Sequence, residues 1–349
     1  MLDRLQNPPL NVALNQSLIQ AKSVNYQAIT PTQSQKIAQE NAELCEVLGA
    51  KIARPFSFSL ESFYFLLGNL CKYYHVALAL SSHNMLYAAY LQSPNKDEIF
   101  PLLPDFASGS ITQDSIDEAL DWGADCFIMP LLNEDILTLN SLESLPMRVL
   151  KVVDVSYAFA LNLPLPKADI MLLNGENLGL LRPFGILASN AQDFYGISSV
   201  YLEIQNLYAV FRQAIIAQQE KKKTGQSRFQ NDLSRVFLDT LRVNLEKLGF
   251  NECCYAFYQS PENTLPLGLK GIKARNLIQS LLFDGIHLIN GQECLFGFAS
   301  PSFVLRQMGY SEEQSRELLS LSFLDIAPSL ISQIAQKIAM KYSQLRSLG

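Results

Sequence analysis

Residues 284–309 read DGIHLINGQECLFGFASPSFVLRQMG. In this stretch Cys294 lies between two glycines, Gly291 and Gly297, and Pro301 and Ser302 follow where an apolar helical pattern begins. A serine directly before such a pattern is typical of a helix N-cap. The stretch therefore predicts a glycine-bounded loop that carries a cysteine, followed by a helix.

Upstream of this stretch, short apolar runs alternate with helical patterns. Continuous apolar runs of four to eight residues are typical of strands buried on both faces, and helices between such strands indicate a parallel sheet. The predicted strands are 76–80, 126–132, 149–155 and 170–173, and the predicted helices are 33–48 and 115–122. The alternation predicts an α/β fold with a mostly parallel sheet.

The sequence pattern changes after Gly196. Residues 200–219 predict one long helix, and a second amphipathic helix follows, with Gly249 at its C-terminal end. We therefore predict two domains. The predicted division is a large α/β domain over residues 15–220 and a smaller α+β domain over residues 221–349, together with residues 1–14, that carries the Cys294 loop.

Composition and charge restrict the classes of partner. Of the 349 residues, 48% are hydrophobic and 17% are charged, and the net charge is −6. This composition is that of a globular protein without a basic field for nucleic acid or anionic lipid. The sequence has no apolar run of the roughly 18 residues that a membrane span needs and no signal-peptide core at its start. We therefore expect a cytoplasmic protein, whose six cysteines lack metal-like spacing and are free thiols.

The segment around Cys294 resembles the reactive-cysteine loop of the cysteine desulfurases. That family has the pattern G-I-x-V-S-x-G-S-A-C, then a glycine three residues later, then P-S-x-V-L-x-x-M-G, and the segment from Gly285 to Gly309 follows it without a gap. The resemblance implies fold-type I of the pyridoxal-phosphate-dependent transferases, in the class V aminotransferase branch. It also implies pyridoxal phosphate as cofactor, a homodimer, and a persulfide-bearing role for Cys294.

Two further segments resemble the cofactor site of this family. Residues 153–158 resemble the segment V-D-A-A-Q-A, whose aspartate pairs with the pyridine nitrogen and keeps it protonated. Residues 80–86 resemble the segment that contains the ring-stacking histidine. The resemblance thus implies Asp154 and His83 as cofactor-binding residues. Each could equally be a hydrogen-bonded structural group at the end of a strand.

The position of the cofactor lysine departs from the family pattern. The family's S-G-H-K segment corresponds to residues 174–177, which places Asn177 at the lysine position. An amide nitrogen is not nucleophilic and cannot form the internal aldimine. The other departures are Phe58 and Leu60 in the phosphate-binding turn, Tyr157 at the glutamine that contacts the phenolic oxygen, and Ser320 at the arginine that binds the substrate carboxylate.

Two functions are compatible with these residues. The first is a cysteine desulfurase-like protein that has lost pyridoxal-phosphate catalysis and acts as a pseudoenzyme or interaction protein, with partners in sulfur transfer or iron–sulfur assembly. The second is a desulfurase or sulfur carrier that uses Cys294 as its persulfide-bearing nucleophile. A different ligand in the cofactor cleft, lined by Tyr157, Glu176 and Asn177, is a third possibility.

Overall fold

The computed structural model describes residues 1–20, 30–191, 206–223, 232–290 and 300–348. Its larger sheet contains seven strands. These are β1 (Ile52–Pro55), β2 (Val76–Ala79), β3 (Phe100–Leu102), β4 (Cys126–Pro130), β5 (Leu150–Asp154), β6 (Ile170–Asn174) and β7 (Gly185–Ser189). Their order in the sheet is β1-β7-β6-β5-β4-β2-β3. The strands from β2 to β6 are parallel, and β7 is antiparallel to β6 and β1.

The central strands form where the sequence has unbroken apolar runs. Every residue of β4 and of β6 is buried, as expected for strands that are covered on both faces. The four predicted strands are present, with ends that differ from the prediction by at most two residues. The prediction of an α/β fold with a mostly parallel sheet is confirmed.

Helices pack on both faces of the larger sheet. They are α1 (Val12–Gln20), α2 (Pro31–Leu48), α3 (Leu60–Cys71), α4 (Asn84–Gln92), α5 (Gln113–Trp122), α6 (Ala158–Leu161) and α7 (Leu207–Lys223). Alternate residues of β2 separate the two faces, because Ala77 packs with residues of α2, α5 and α7, whereas Leu78 packs with residues of α3 and α4. In the described ranges, no helix has both the length and the apolar composition that crossing a bilayer requires.

The prediction of a helix starting at residue 200 is wrong. Helix α7 begins at Leu207, because Asn206 has a φ of +70°, a left-handed backbone conformation that a right-handed helix cannot include. Residues 192–205 lie outside the described part of the chain. The helix also extends to Lys223, past the predicted end.

A second, three-stranded antiparallel sheet belongs to the C-terminal part of the chain. Its strands are β8 (Cys254–Ala256), β9 (Thr264–Leu269) and β10 (Leu318–Ser322), and its helices are α8 (Leu233–Lys247), α9 (Ala274–Leu282), α10 (Phe303–Gln307), α11 (Glu312–Ser315) and α12 (Ile331–Leu348). Phe237 of α8, Leu277 of α9 and Ile338 of α12 share one hydrophobic cluster with this sheet. The N-terminus joins the same layer, because the buried Leu2 exchanges backbone hydrogen bonds of 2.8 Å with His287 and Ser322. The division into domains at residue 220 stays a prediction.

The turn that follows β4 connects the two sheets. The carboxylate of Asp135 accepts a hydrogen bond of 2.6 Å from Ser302 Oγ, and its backbone oxygen accepts one of 2.6 Å from Ser320 Oγ. Next to it, Ile136 packs with Val304 and Leu305 of α10. The segment C-terminal to the Cys294 loop is therefore anchored to the carboxyl edge of the larger sheet.

Candidate functional site

A cavity of about 330 Å³ lies at the carboxyl ends of the parallel strands. His83 follows β2, Tyr157 follows β5, and Asn177 lies in a 3₁₀ turn (Gly175–Leu178) directly after β6. The N-terminal turn of α3 forms the opposite wall, with Phe58 and Glu61 among its lining residues. Ligand sites of open α/β sheets occur at this edge, which makes the cavity the candidate functional site.

His83 is a buried, neutral histidine that caps a helix. Its Nδ1 accepts a hydrogen bond of 3.2 Å from the backbone N–H of Met85, so the ring proton is on Nε2. Burial, and to a smaller extent the guanidinium of Arg182, lowers the pKa of His83 to about 3. The rings of Phe58 and Phe63 lie 5.1 and 5.7 Å from the imidazole, between ring centroids. The histidine therefore packs against phenylalanine rings of its own chain.

Asp154 lies at the end of β5 and connects it to β6. Its Oδ1 accepts hydrogen bonds from the backbone N–H and the hydroxyl of Ser156, and Ser156 Oγ accepts one of 2.8 Å from the backbone N–H of Asn174. Burial raises the pKa of Asp154 to about 6, although the hydrogen bonds from Ser156 oppose the shift. Asp154 is not among the described residues that line the cavity, and its role in cofactor binding stays a prediction.

A second buried carboxylate lies close to Asp154. Burial, together with the charges of Asp154 and Asp135, raises the pKa of Glu134 well above its ordinary value. The hydroxyl of Tyr157 donates a hydrogen bond of 3.3 Å to Glu134. Tyr157 thus connects the cavity wall to the turn that holds Ser302 and Ser320.

Asn177 lies at the cavity wall, where the family resemblance places the cofactor lysine. Only 6% of its surface is exposed, and it lines the cavity together with His83 and Tyr157. Among the described residues that line the cavity, none is a lysine. Lys151, which is on the strand of Asp154, lies near the opposite end of that strand and donates to the backbone oxygen of Leu145 at 3.0 Å. The described wall therefore supplies no amine for a Schiff base.

Two backbone N–H groups in the N-terminal turn of α3 donate to Ser59. Ser59 caps the helix by accepting a hydrogen bond of 3.3 Å from the backbone N–H of Ser62. The carboxylate of Glu61 accepts hydrogen bonds from its own backbone N–H and from the hydroxyl of Ser59, which lower the pKa of Glu61. Phe58 adds an aromatic ring to this wall. A phosphate would therefore meet a carboxylate and a phenyl ring in place of free N–H groups.

One predicted position lies away from the cavity wall, and a second is outside the described residues. Ser320, at the position of the substrate-binding arginine, is buried in β10 and donates its hydroxyl to the backbone of Asp135. Cys294 lies in residues 291–299, which are outside the described part of the chain. Of the predicted site residues, the structure brings His83, Tyr157 and Asn177 together in one cavity, which Phe58 and Leu60 also line.

Pyridoxal phosphate does not fit the described residues of this cavity. The amine that would form the Schiff base is absent from the described wall, and the helix start that would bind the phosphate holds Phe58 and Glu61. The Arg182 guanidinium is paired with the carboxylate of Glu176 in an ion pair. No step through this cofactor is therefore derived from the described residues.

Sequence reasoning missed Gln6 as a cavity residue. Gln6 is far from the other lining residues in the sequence. Its side chain reaches the cavity because Leu2, in the same N-terminal segment, is hydrogen-bonded to Ser322 of the smaller sheet. Arg182 and Asn174 were also missed as lining residues. Both lie close to Asn177 in the sequence, so the turn that follows β6 could have indicated them.

Comparisons with solved structures identify the fold class. A NifS-like protein aligns over 100% of this chain and 99% of its own, with a TM-score of 0.70 and 13% identity. A NifS-like protein from Rickettsia africae covers 99% of this chain and 98% of its own, with a TM-score of 0.65 and 14% identity. SPT with a pyridoxal phosphate internal aldimine covers 96% and 84%, with a TM-score of 0.64 and 13% identity. No protein-family model and no curated protein matches the sequence.

These likenesses show that the chain has the fold of the fold-type I pyridoxal-phosphate-dependent transferases. The predicted fold class is thereby confirmed, and so is the structural resemblance to cysteine desulfurases.

Proposed function

We propose that this protein is a cysteine desulfurase-like pseudoenzyme, which acts through protein partners and does not hold pyridoxal phosphate covalently. The observation that carries the proposal is the cavity wall after β6. Asn177 lies there, at the lysine position, and no described lining residue is a lysine. The lone pair of an amide nitrogen is delocalised into its carbonyl group, so Asn177 cannot attack an aldehyde.

The opposite wall of the cavity supports the same proposal. Phe58 occupies a position at which the family has a glycine, and its ring packs edge-on against Phe56 and Phe63 at centroid distances of 5.8 and 5.3 Å. Glu61 brings a negative charge to the helix start. Both features disfavour a phosphate, so the losses affect the two groups that would anchor the cofactor.

Exposed hydrophobic side chains support a role in protein association. Tyr64 and Phe65 on α3 are 43% and 45% exposed, and Tyr73, just after this helix, is 69% exposed. Large apolar side chains that cluster on a surface are typical of interaction sites. We propose a homodimer in the cytoplasm, with protein partners in sulfur transfer or iron–sulfur assembly.

The test is whether the purified protein forms a Schiff base with pyridoxal phosphate. The protein and its Asn177→Lys variant would each be incubated with pyridoxal phosphate, scanned for the aldimine absorbance band, reduced with borohydride and mapped by peptide mass spectrometry. We expect no adduct in the cavity of the natural sequence and one at position 177 in the variant. Light scattering on the same samples would measure the oligomeric state.

A defined outcome contradicts the proposal. An aldimine band in the natural protein, a reduced adduct on any cavity residue, and release of sulfide from cysteine would together establish desulfurase chemistry. If the Asn177→Lys variant forms the adduct and the natural protein does not, access to the cavity is demonstrated and the missing amine is the reason.

A sulfur carrier that uses Cys294 is the second candidate. The observation in its favour is that the residues on both sides of 291–299 are hydrogen-bonded to the smaller sheet or to the turn after β4. The backbone oxygen of Ile289 accepts a hydrogen bond of 3.1 Å from Ser320, and Ser302 bonds to Asp135. A persulfide donor should load sulfur onto the natural protein but not onto a Cys294→Ser variant, with Cys254→Ser as the matched control. Equal loading of all three proteins would exclude this role.

A further inference from the structure

We infer that the cavity binds a small uncharged molecule with a paired N–H and C=O edge, such as a primary amide or a cyclic imide. The proposed function concerns Schiff-base formation in this cavity, whereas the present inference concerns the binding of a neutral ligand in it. Failure of the Schiff-base test and failure of ligand binding are therefore separate outcomes.

An unpaired carboxamide in the cavity wall is the first observation. Both polar atoms of the Gln6 side chain, Nε2 and Oε1, are buried and have no hydrogen-bond partner among the described residues. Asn177 lines the same cavity and is 6% exposed. A buried amide that has lost its hydrogen bonds to water is unfavourable unless another group replaces them. The carboxamide of Gln6 therefore favours a ligand that offers both a donor and an acceptor.

The terminal torsion of glutamine lets Gln6 reach such a ligand. This sp³–sp² torsion has a broad energy profile, so the amide plane can turn toward the cavity at little cost. An amide presents a donor and an acceptor side by side, and a second amide or an imide presents the complementary pair. The ligand and the Gln6 amide can thus form two hydrogen bonds in one plane, an arrangement that a water molecule does not match.

Charge balance argues against an ionic ligand. The described ionisable side chains at the cavity are Glu61, Glu176, Arg182, Tyr157 and His83. Arg182 is paired with Glu176, and the histidine is neutral because its Nδ1 accepts a backbone N–H. Glu61 is the remaining charged side chain; it is exposed and repels anions. Its carboxylate accepts hydrogen bonds from its own backbone N–H and from Ser59. The charge of Arg182 is thus balanced by Glu176, and the net charge of the described wall is the negative charge of Glu61, which disfavours an anion.

The remaining walls fit a flat ring. Phe58, Met85 and Pro183 supply apolar surfaces around the amides. The cavity volume of about 330 Å³ lies at the lower end of the roughly 300–1,000 Å³ that small-molecule sites occupy. A heterocycle of one or two rings that carries an amide or imide group has the matching size and chemistry.

The test compares neutral probes with related anionic ones on the full chain. Nicotinamide and nicotinate differ only in an amide against a carboxylate, and uracil and orotate differ by an added carboxylate. Titration calorimetry and ligand-observed NMR would measure the affinity for each. We expect nicotinamide or uracil to bind at least about tenfold more tightly than its acid, since the net negative charge of the described wall disfavours the acid.

Substitutions at the two carboxamides locate the binding. Gln6→Leu and Asn177→Leu should each weaken the binding of the neutral probe about three- to tenfold, the loss expected for one hydrogen bond. Gln39→Leu, on the exposed face of α2, is the matched control and should bind as the natural protein does. Circular dichroism would establish that each variant is folded.

Three results would overturn the inference. They are the absence of binding by both nicotinamide and uracil, binding of the acids as tight as that of the neutral probes, and unchanged affinity in both leucine variants. The first two results are measured on the natural protein, so they test the inference even if a variant fails to fold.

Discussion

Replacement of Asp154 by asparagine should stabilise this protein at neutral pH. Asparagine keeps the shape of the side chain and an oxygen that can accept the hydrogen bonds from Ser156, but it removes the charge. In the described residues, no cation contributes to the pKa of Asp154. No described cation therefore offsets the desolvation of the ionised carboxylate, and the hydrogen bonds from Ser156 offset it only in part.

The magnitude follows from the shift in the pKa of Asp154. The folded value of about 6 against an ordinary value of 3.8 is worth about 3 kcal/mol, at about 1.4 kcal/mol per pKa unit. Asp154 is only partly buried, so solvent screening reduces the expected effect to about 1–2 kcal/mol. We therefore expect the Asp154→Asn variant to have a free energy of unfolding about 1–2 kcal/mol higher than the natural protein at pH 7.5.

The pH dependence has a defined sign. Because the folded pKa of Asp154 lies above the unfolded one, the protonated acid stabilises the fold. This stabilisation is fully present below the unfolded value of 3.8 and is lost as the pH rises through about 6. The advantage of the asparagine variant should thus be largest above pH 7 and fall to about half at pH 5.

The assay is urea denaturation followed by circular dichroism between pH 5 and pH 8. Asp154→Leu is the control for shape, because leucine leaves the N–H and hydroxyl of Ser156 without their acceptor and should be destabilising at every pH. Two results would refute the reasoning: an asparagine variant less stable than the natural protein at pH 7.5, or a stability difference that does not change with pH. Either would indicate a positive group beside Asp154, such as a protonated ring nitrogen.

Three substitutions test the packing around the site, each by urea denaturation. Gly185→Ala should cost about 1–3 kcal/mol, because its Cβ would overlap the backbone oxygen of Phe56. Gly68→Ala, in α3, meets no atom within 4 Å and should stabilise by about 0.5–1 kcal/mol; a loss of stability would contradict the helix assignment. Ser302→Ala should cost about 2–3 kcal/mol, because it removes the N-cap of α10 and the hydrogen bond to Asp135. Ser302→Thr should retain most of that stability, and equal losses in both variants would exclude the hydroxyl as the cause.

Local patterns in the sequence were sufficient to predict the fold class. The apolar runs that form β4 and β6 have the length and composition of strands buried on both faces. Each residue of such a run is apolar, so its burial can be predicted from its own side chain. The assignment of Asn177 to the lysine position, which depends on its place a few residues after β6, stays a prediction. The start of α7 was mispredicted, because the left-handed conformation of Asn206 leaves little trace in hydrophobic periodicity.

The composition of the cavity, by contrast, depends on contacts between distant parts of the chain. Gln6 reaches the wall opposite Phe58 only because the N-terminal segment binds the smaller sheet. The tertiary structure also shows that Asp154 accepts hydrogen bonds from the backbone N–H and the hydroxyl of Ser156, while its cofactor role stays a prediction.

The sequence by itself thus determined the strands and the mostly parallel sheet, because each depends on residues that are near neighbours in the chain. Only the tertiary structure decided that His83 is neutral and that the described wall lacks an amine. It also decided that the buried carboxamide of Gln6 has no described partner. The physical reason is that charge, desolvation and hydrogen bonding in a cavity depend on every group that surrounds it, and these groups come from segments far apart in the sequence.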